Sequence, residues 1–445
     1  MIAISPTLKT PKLDNGSSLA RPELRILPNG LRVLAEQIPV DAVNLSIWVN
    51  VGSAFEADEI NGMAHFLEHM IFKGTERQRV GEFEQAIESC GGNTNAATSQ
   101  DYTHYYINVA PKDFAKFAPL QLDLVCNARI PDPEFERERA VVLEEIRRSE
   151  DSPERRLYRH SVEQLFSRLP YRRPVLGPTS VIEQVTAPQM RAFHQQWYHP
   201  ENMTVVIVGN LPVTQMIDVV ADFFANQPPH PLPQPTMPHH QPETNFPTIC
   251  RSELVDQGLQ QPRLLLGWRL PGLQQCHKTT DYRTMVVLSI LSSILTGGRT
   301  SRLIQELREK RHLVDRISAS ATAFRWQGIF QIAAKLPGDD TMMHQLPVVE
   351  EHLQTEIERL IHSPVTTEEL AKIRTQVANR FIFASESPRE KAGLYGYYDR
   401  VVGNLEVALH YPEIVRSITP EEIQAVAATY LDPAAYSSIT AVPRS

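Results

Sequence analysis

Alternation of apolar and polar residues predicts two strands near the start of the chain. The segment Val43 to Val51 places one set of apolar side chains on a single face, at Leu45, Ile47, Val49 and Val51. Its other face carries Asn44, Ser46 and Asn50, so we expect a strand that is buried on one face only. Leu31 to Leu34 follows a Pro-Asn-Gly turn and is predicted to be one arm of a hairpin.

The apolar residues of the next segment recur with the period of an α-helix. Apolar residues recur at the i, i+3, i+4, i+7 and i+8 positions Met63, Phe66, Leu67, Met70 and Ile71. This spacing predicts a helix with one apolar stripe, for which Asn61 is the expected N-cap and Lys73-Gly74 the end. His65, Glu68 and His69 then share the opposite face, around Phe72.

The two halves of the chain share an order of elements. Thr186-Ala187-Pro188 begins a predicted helix that runs to Tyr198, and the strand Thr204 to Val208 follows. Thr419-Pro420-Glu421 likewise begins a helix that runs to Tyr430, before the strand Ser438 to Val442. This repetition indicates a distant duplication. We therefore predict an α+β protein of two homologous domains, each a β-sheet backed by helices.

A proline-rich segment separates the halves. Eight of the twenty residues from 228 to 247 are proline, which favours an extended, poorly packed linker. The predicted domains are therefore residues 1–227 and 248–445, on either side of the linker 228–247. Such a chain cannot easily bring His230, His239 and His240 together on one metal ion.

Composition narrows the function classes. The chain has 445 residues with 44 Lys and Arg against 52 Asp and Glu, a net charge of −8 that argues against nucleic-acid binding. Four scattered cysteines provide neither a CxxC zinc site nor a disulfide framework. The longest apolar stretch, Val286 to Leu295, is too short to span a bilayer, and Met1 through Pro22 does not resemble a signal peptide. A cytoplasmic location is expected.

The polar face of the first helix has metal-binding chemistry. Two imidazoles one turn apart, His65 and His69, can chelate one metal ion, and Glu68 between them can reach a bound water. The bland alternative is a helix with incidental histidines. A third ligand is expected from another element, and the predicted helix that begins at Asp132-Pro133 offers carboxylates at Glu138, Glu144 and Glu145. Glu138 and Glu145 lie two turns apart and so share one face, and Glu144 is the rival for the third ligand.

These residues resemble a known family. The HxxEH motif, with Glu145 76 residues after His69, is similar to that of the pitrilysin-like (inverzincin) zinc metallopeptidases. The likeness is greatest to the branch of roughly 50 kDa subunits that includes mitochondrial processing peptidase. It extends to Gly52-Ser53 with Glu56, to Phe72 through Thr75, to Gly91-Gly92 and to Val142 through Ile146.

The resemblance implies a role for each matched residue. His65, His69 and Glu145 match the zinc ligands, with one ion per chain, and Glu68 matches the general base. Glu138 matches a second glutamate, expected to orient a ligand histidine. Asn95 and Ala96 match a segment that binds the substrate main chain, although an ordinary hairpin explains that stretch equally well. The C-terminal domain is expected to lack a metal site.

One position departs from the family. Its active members carry an arginine and, seven residues later, a tyrosine that hold the substrate carbonyl. Here Arg308 is present, but Asp315 occupies the tyrosine position, and an ionised carboxylate would repel a developing oxyanion. The resemblance therefore implies a homologous partner subunit that supplies the Arg/Tyr pair. A heterodimer is favoured, and a homodimer is possible.

The expected function is that of a zinc metalloendopeptidase subunit acting on extended or unstructured peptides. A structural subunit like the peptidase-derived core proteins of respiratory complexes, or a peptide-binding subunit with a vestigial site, is the alternative. Retention of all four residues His65, Glu68, His69 and Glu145 argues against the structural subunit.

Overall fold

A computed structural model describes residues 19–225, 240–275, 279–338 and 342–444. The strands of the first half are β1 (Glu23–Ile26), β2 (Arg32–Gln37), β3 (Val43–Val49), β4 (Asn93–Thr98), β5 (Thr103–Val109) and β6 (Met203–Gly209). Its helices are α1 (Met63–Ile71), α2 (Glu82–Ser89), α3 (Phe114–Cys126), α4 (Asp132–Asp151), α5 (Pro153–Leu165), α6 (Thr179–Ile182), α7 (Ala187–Trp197) and α8 (Val213–Ala225).

The second half contains the same kinds of secondary-structure elements. Its strands are β7 (Cys250–Asp256), β8 (Arg263–Pro271), β9 (Arg316–Thr322), β10 (Gln327–Lys335) and β11 (Ser437–Pro443). Its helices are α9 (Thr279–Thr296), α10 (Leu346–His362), α11 (Thr367–Phe383), α12 (Pro388–Tyr397), α13 (Leu405–Leu409), α14 (Tyr411–Ser417) and α15 (Pro420–Tyr430). Two π-helical segments, Ile304–Lys310 and Tyr398–Val402, lie between them.

The five strands of the second sheet repeat the topology of β2 to β6 in the first, which confirms the predicted α+β duplication. The first sheet has the order β1-β2-β6-β3-β5-β4 and the second β7-β11-β8-β10-β9. In each, the last strand of the half is inserted parallel to one neighbour and antiparallel to the other: β6 between β2 and β3, and β11 between β7 and β8. The strand β1 pairs antiparallel with β2, as the predicted hairpin requires.

The repeated helix starts are equally alike. Thr186 and Thr419 each cap a helix with a complete capping box, and a proline stands in the first turn of both helices. The helices α7 and α15 are each 11 residues long and each precede the inserted strand. The sequence match therefore reflects a true structural repeat.

One helix from each half packs against the sheet of the other half. The helix α12 lies on the face of the first sheet that carries Trp48 and Val206, where Ala392 and Tyr395 are fully buried. In return α5 lies on the second sheet, with Leu157 packed beside Ile439 and Ala441. Both helices begin with a Ser-Pro pair whose serine accepts a hydrogen bond from the third residue of the helix.

This exchange corrects the prediction for β3. All seven residues of the strand are buried, including Asn44 and Ser46 on the face expected to be solvated. Asn44 donates to the carbonyl of Ile107 at 3.1 Å, and Ser46 donates to Asn44 at 2.8 Å. The two polar side chains therefore have hydrogen-bond partners within the sheet although α12 covers this face.

The described end of the predicted linker is also packed. Residues 228–239, including His230 and His239, lie outside the described part of the chain. Glu243 is buried and accepts four hydrogen bonds from residues 167–169, and the His240 ring contacts Trp326. Residues 240–247 are therefore more tightly held than the proline content indicated.

Among the described helices, none is long and apolar enough to cross a bilayer.

Candidate metal centre

The helix α1 is anchored by its apolar stripe. Met63, Phe66, Leu67, Met70 and Ile71 are all fully buried, as the periodicity predicted. Phe66 stacks on Phe135 of α4 with ring centroids 4.6 Å apart. This packing fixes α1 against α4, so the polar faces of the two helices meet.

The N-terminus of α1 is held by a residue that the sequence did not single out for this role. The helix begins after Gly62, whose φ of 98° is left-handed, and Asn61 makes no capping bond, so the expected Asn61 cap is wrong. The Glu56 carboxylate instead accepts hydrogen bonds from the backbone N–H of Gly62 at 2.8 Å and of Ala64 at 2.7 Å. The Asn61 amide donates to the same carboxylate. A buried carboxylate thus satisfies the free N–H groups and the positive end of the helix.

Three predicted ligands converge on one point. Glu145 Oε2 lies 3.5 Å from His65 Nε2 and 3.5 Å from His69 Nε2. The three ligand atoms all lie within 4.8 Å of one another. Ligand atoms about 2.1 Å from a tetrahedral zinc ion stand about 3.4 Å apart, so this donor set fits zinc.

The neighbouring glutamate is not available to the site. Glu144 faces the other way on α4 and pairs with Arg147 and Arg148 at 3.4 and 3.3 Å. Asp132 forms the first residue of α4 rather than its cap, and it pairs with Arg191 at 2.7 Å. The helix therefore turns Glu145, and not Glu144, toward the histidines.

Glu138 orients one histidine. Its Oε1 accepts a hydrogen bond from His69 Nδ1 at 2.9 Å, and its Oε2 pairs with Lys73 Nζ at 2.7 Å. Burial raises the pKa of Glu138, but the bonds from His69 and Lys73 outweigh it and lower the pKa. With Nδ1 bound to the carboxylate, Nε2 of His69 is left to face Glu145. This arrangement is the one expected of a group behind a metal ligand.

The two histidines have different electrostatic surroundings. Burial, with the neighbouring His69 as a second cause, lowers the pKa of His65 to about 3, so its imidazole is neutral. Burial also acts to lower the pKa of His69, but the hydrogen bond to Glu138 and the charges of the nearby carboxylates raise it. Neutral imidazole is the form that binds a metal ion.

Glu68 lies on the same helix face, in contact with the end of β4. Thr98 Oγ1 donates to Glu68 Oε2 at 2.5 Å. Burial raises the pKa of Glu68, against the opposing effect of the Thr98 hydrogen bond. A carboxylate with a raised pKa is better suited to accept a proton and return it.

The strand that carries Asn95 and Ala96 is the edge of the first sheet. Among the described strands, β5 alone pairs with it. Its residues alternate between exposed and half-buried from Asn93 to Thr98, and the Asn95 side chain accepts a hydrogen bond from the N–H of Ala96 at 2.8 Å. Because Thr98 of this strand touches Glu68, the free edge leads directly to the metal centre.

A cavity of about 600 Å³ adjoins the centre. His65, Glu68 and Thr98 form one wall. The other walls come from the end of α4, from α5 and from residues 171–178, and include Ile146, Val162, Arg155, Arg159, Val175 and Leu176. Because Glu150 and Glu163 also line it and pair with Arg159, the space beside His65 is apolar with charges of both signs.

Arg308 and Asp315, at the positions where the family's arginine and tyrosine are expected, lie in the second half of the chain. Arg308 pairs with its neighbour Glu309 at 2.6 Å. Asp315 is exposed and accepts a hydrogen bond from Gln261 at 2.6 Å. The inference of a partner subunit that supplies the pair stays a prediction.

Sequence reasoning missed three supporting roles, those of Glu56, Lys73 and Thr98. Each acts from outside the helix that carries the histidines. Glu56 lies close before α1 in the sequence, and this short separation is the one signal that could have indicated its contact with the helix. No periodic pattern connects Thr98 to Glu68.

Two family models match the chain. "Insulinase (Peptidase family M16)" matches residues 32–179, and "Peptidase M16 inactive domain" matches residues 184–377. An uncharacterised zinc protease of Mycobacterium leprae is 35% identical over 314 residues, which cover 70% of this chain and 68% of the relative. An uncharacterised zinc protease of Mycobacterium bovis is 31% identical over 418 residues, 93% of this chain and 91% of the relative.

The solved structure of a protease from Helicobacter pylori is similar over 96% of this chain and 100% of its own, at 25% identity and a TM-score of 0.86. The relatives, the two matched domains and the converging HxxEH residues agree. The chain belongs to the M16 family of pitrilysin-like peptidases.

Proposed function

We propose that this chain is a zinc-dependent endopeptidase subunit that hydrolyses peptides bound in extended form. The observation that carries the proposal is the meeting of His65, His69 and Glu145 at 3.5 Å, with Glu68 on the same helix face. The names of the relatives support zinc as the metal. The processing-peptidase branch and the cleavage specificity belong to the proposal alone.

The chain's residues divide the chemistry among themselves. His65, His69 and Glu145 would hold the ion, and Glu138 keeps His69 in the tautomer that leaves Nε2 free. A zinc ion held there would polarise the scissile carbonyl and lower the pKa of water. Glu68 accepts the proton of the attacking water and returns it to the leaving amine, while Thr98 fixes the carboxylate in place.

The edge of β4 supports an extended substrate. A peptide added beside Asn95 and Ala96 would form main-chain hydrogen bonds with a strand that lacks a second neighbour. One of its side chains would enter the cavity next to His65. Unstructured peptides are the proposed substrates, because a segment must be free to extend along β4 before it can pair with that strand.

A partner subunit forms part of the proposal. Asp315 stands where a tyrosine would help to hold the oxyanion, and its carboxylate has no hydrogen to donate when ionised. We infer that a homologous subunit supplies the missing Arg/Tyr pair, with a homodimer as the alternative assembly.

The test is a metal and turnover assay on the purified chain. Its zinc content is measured, and a library of unstructured peptides is digested with and without a chelator. Glu68→Gln is expected to keep the zinc and lower kcat about 10²- to 10⁴-fold. Glu144→Gln, which removes an exposed charge on α4, serves as the matched control and should keep full activity.

The outcomes separate the alternatives. A zinc-loaded chain that cuts only after a homologous subunit is added would support the heterodimer. Activity of the chain alone would favour the homodimer. A chain that binds no zinc, and whose biological role survives Glu68→Gln, would overturn the enzyme in favour of a structural subunit.

A further inference from the structure

A second cavity is lined by residues of the second half and shares no described lining residue with the cavity beside the metal centre. It has a volume of about 330 Å³ and is lined by Leu273, Gln274, Tyr282, Arg325 and residues 400–404. Two arginines, Arg325 and Arg400, are among the described residues that line it, and none of those residues is acidic. We propose that this cavity binds a phosphoryl group, as inorganic phosphate or a phosphate monoester. This inference is independent of the proposed peptidase function.

Arg325 is nearly buried, with 7% of its surface exposed, yet its charge is only partly matched. One terminal nitrogen, Nη2, donates to Asn50 Oδ1 at 2.5 Å, which is a neutral partner. Its Nε is buried and has no hydrogen-bond partner among the described residues. Within the described chain, the Arg325 side chain, which lines the cavity, thus donates only to neutral acceptors, and an oxyanion bound against this wall would compensate its charge.

Arg400 is likewise bonded to neutral groups. Its Nε donates to Thr204 Oγ1 at 2.7 Å, and its Nη2 donates to the carbonyl of Met203 at 2.6 Å. Burial, together with the positive charges of Arg32 and Arg325, lowers the pKa of Arg400 to about 10 despite the opposing effect of Asp399. The surroundings of the cavity are therefore short of negative charge.

Two carboxylates that interact with these arginines, Asp399 and Asp101, are already engaged. Asp399 forms a two-point ion pair with Arg32, at 2.6 and 3.0 Å. Asp101 accepts from the Tyr171 hydroxyl at 3.0 Å and from the backbone N–H of Arg325 at 2.9 Å. Burial raises the pKa of Asp101, against the opposing effect of the Arg325 charge. Three guanidinium groups thus face two carboxylates, and a bound anion would restore the balance.

The size and the remaining wall suit a phosphoryl group. One water occupies about 30 Å³ in the liquid, so about 330 Å³ holds a phosphate with room for an organic substituent. Arginine is the side chain best matched to phosphate oxygens, because its planar group donates two parallel hydrogen bonds. Asn404 also lines the cavity, and it caps α13 by accepting a hydrogen bond from the N–H of Glu406.

The test measures thermal unfolding of the full chain during titration with inorganic phosphate, at constant ionic strength kept with chloride. We expect a saturable rise of a few degrees in Tm. The Asn404→Asp variant keeps an N-cap oxygen but adds a negative charge to the cavity wall. It should weaken phosphate binding at least tenfold by calorimetry.

The control is Thr366→Asp, which makes the same kind of cap substitution at the start of α11. It should leave the phosphate affinity unchanged. Arg325→Gln should also weaken binding, and Asn404→Asp keeps the test valid if that variant does not fold. A parallel titration with glycerol 3-phosphate identifies the source: a tighter fit indicates an esterified ligand, and equal binding indicates inorganic phosphate. Absence of a saturable shift, or equal binding by Asn404→Asp and the unchanged chain, would overturn the proposal.

Discussion

His69 makes contact with two carboxylates through its two ring nitrogens. Nδ1 bonds to Glu138 at 2.9 Å, and Nε2 faces Glu145 at 3.5 Å. The first contact decides which nitrogen is free and how basic it is, so it controls metal affinity from behind the ligand. Lys73 in turn holds Glu138 on its other oxygen.

The Glu138→Gln variant is expected to weaken zinc binding by about ten- to a hundredfold. The amide carbonyl can still accept from His69 Nδ1, but it lacks the charge that pairs with Lys73 and strengthens the ligand. Competition with a chromogenic chelator measures the affinity directly. Glu144→Gln, at an exposed position on the same helix, should bind zinc as the unchanged chain does. Equal affinities for both variants would contradict a role for Glu138 behind the ligand.

The buried carboxyl group of Glu56, which caps α1, makes the stability of the fold depend on pH. Burial raises its pKa to about 7 from 4.5, against the hydrogen bonds from Ala64, Asn61 and Gly62 that favour the charged form. Folding therefore takes up a proton between about pH 4.5 and 7. The stability contributed by this group is greatest below pH 4.5 and is lost as the pH rises through 7.

The Glu56→Gln variant removes this titration. We expect its free energy of unfolding to increase relative to the unchanged chain as the pH rises from 4.5 to 7, by up to about 1.4 kcal/mol per pH unit. Urea unfolding at several pH values measures the difference. Zinc affinity should fall, because an amide offers the α1 N-terminus only one acceptor oxygen. Glu59→Gln, at an exposed site nearby, is the control substitution, and a difference for Glu56→Gln that stays constant from pH 4.5 to 7 would refute the argument.

At the scale of elements, β3 shows where sequence patterns reach their limit. Its alternation correctly predicted a strand with one apolar face. It could not reveal that α12, more than 300 residues later in the chain, covers the other face. Periodicity describes the face that an element buries in its own half, whereas a cover from the other half leaves no local signal.

Other elements were predictable because their signals are local. The helix starts at Thr186 and Thr419 and the apolar stripe of α1 are short-range patterns, and the structure contains all three. The geometry of Glu145 also followed from helical spacing within α4. Thr98 and Glu56 did not, since their contacts with α1 join separate elements.

The helix α12 provides a matched pair of glycines for testing the exchange. A Cβ atom at Gly396 would lie 2.0 Å from Trp48 Nε1 on β3, whereas a Cβ atom at Gly393 meets nothing within 4 Å. Gly396→Ala should therefore lower the free energy of unfolding by about 1–3 kcal/mol through overpacking. Gly393→Ala should raise it by about 0.5–1 kcal/mol, because alanine favours the helix. Denaturant unfolding compares them, and two changes of the same sign would mean that α12 does not press on β3 as described.

At the scale of the whole molecule, the reciprocal helices make the halves interdependent. Lys391 of α12 pairs with Glu36 of β2 at 2.5 Å, and both groups are almost fully buried. In the other direction, Arg269 of β8 donates to the carbonyl of Leu165 at 2.7 Å, and Arg156 of α5 pairs with Asp256 at 2.5 Å. A half expressed alone would expose one face of its sheet and would leave these charged groups without partners.

We therefore expect residues 1–239 and residues 240–445 to be poorly folded when expressed separately and to fold when expressed together. The expected complex forms because α5 and α12 bind the opposite sheets without need of a covalent connection, and Glu243 then bonds to residues 167–169 across the cut. Near-ultraviolet circular dichroism and limited proteolysis distinguish the states. The Gly396→Ala change in the second fragment should weaken the reconstituted complex, and Gly393→Ala should not. Cooperative unfolding of either fragment alone, with a native near-ultraviolet spectrum, would show instead that each duplicated half is an independent domain and that the exchanged helices contribute little to its stability.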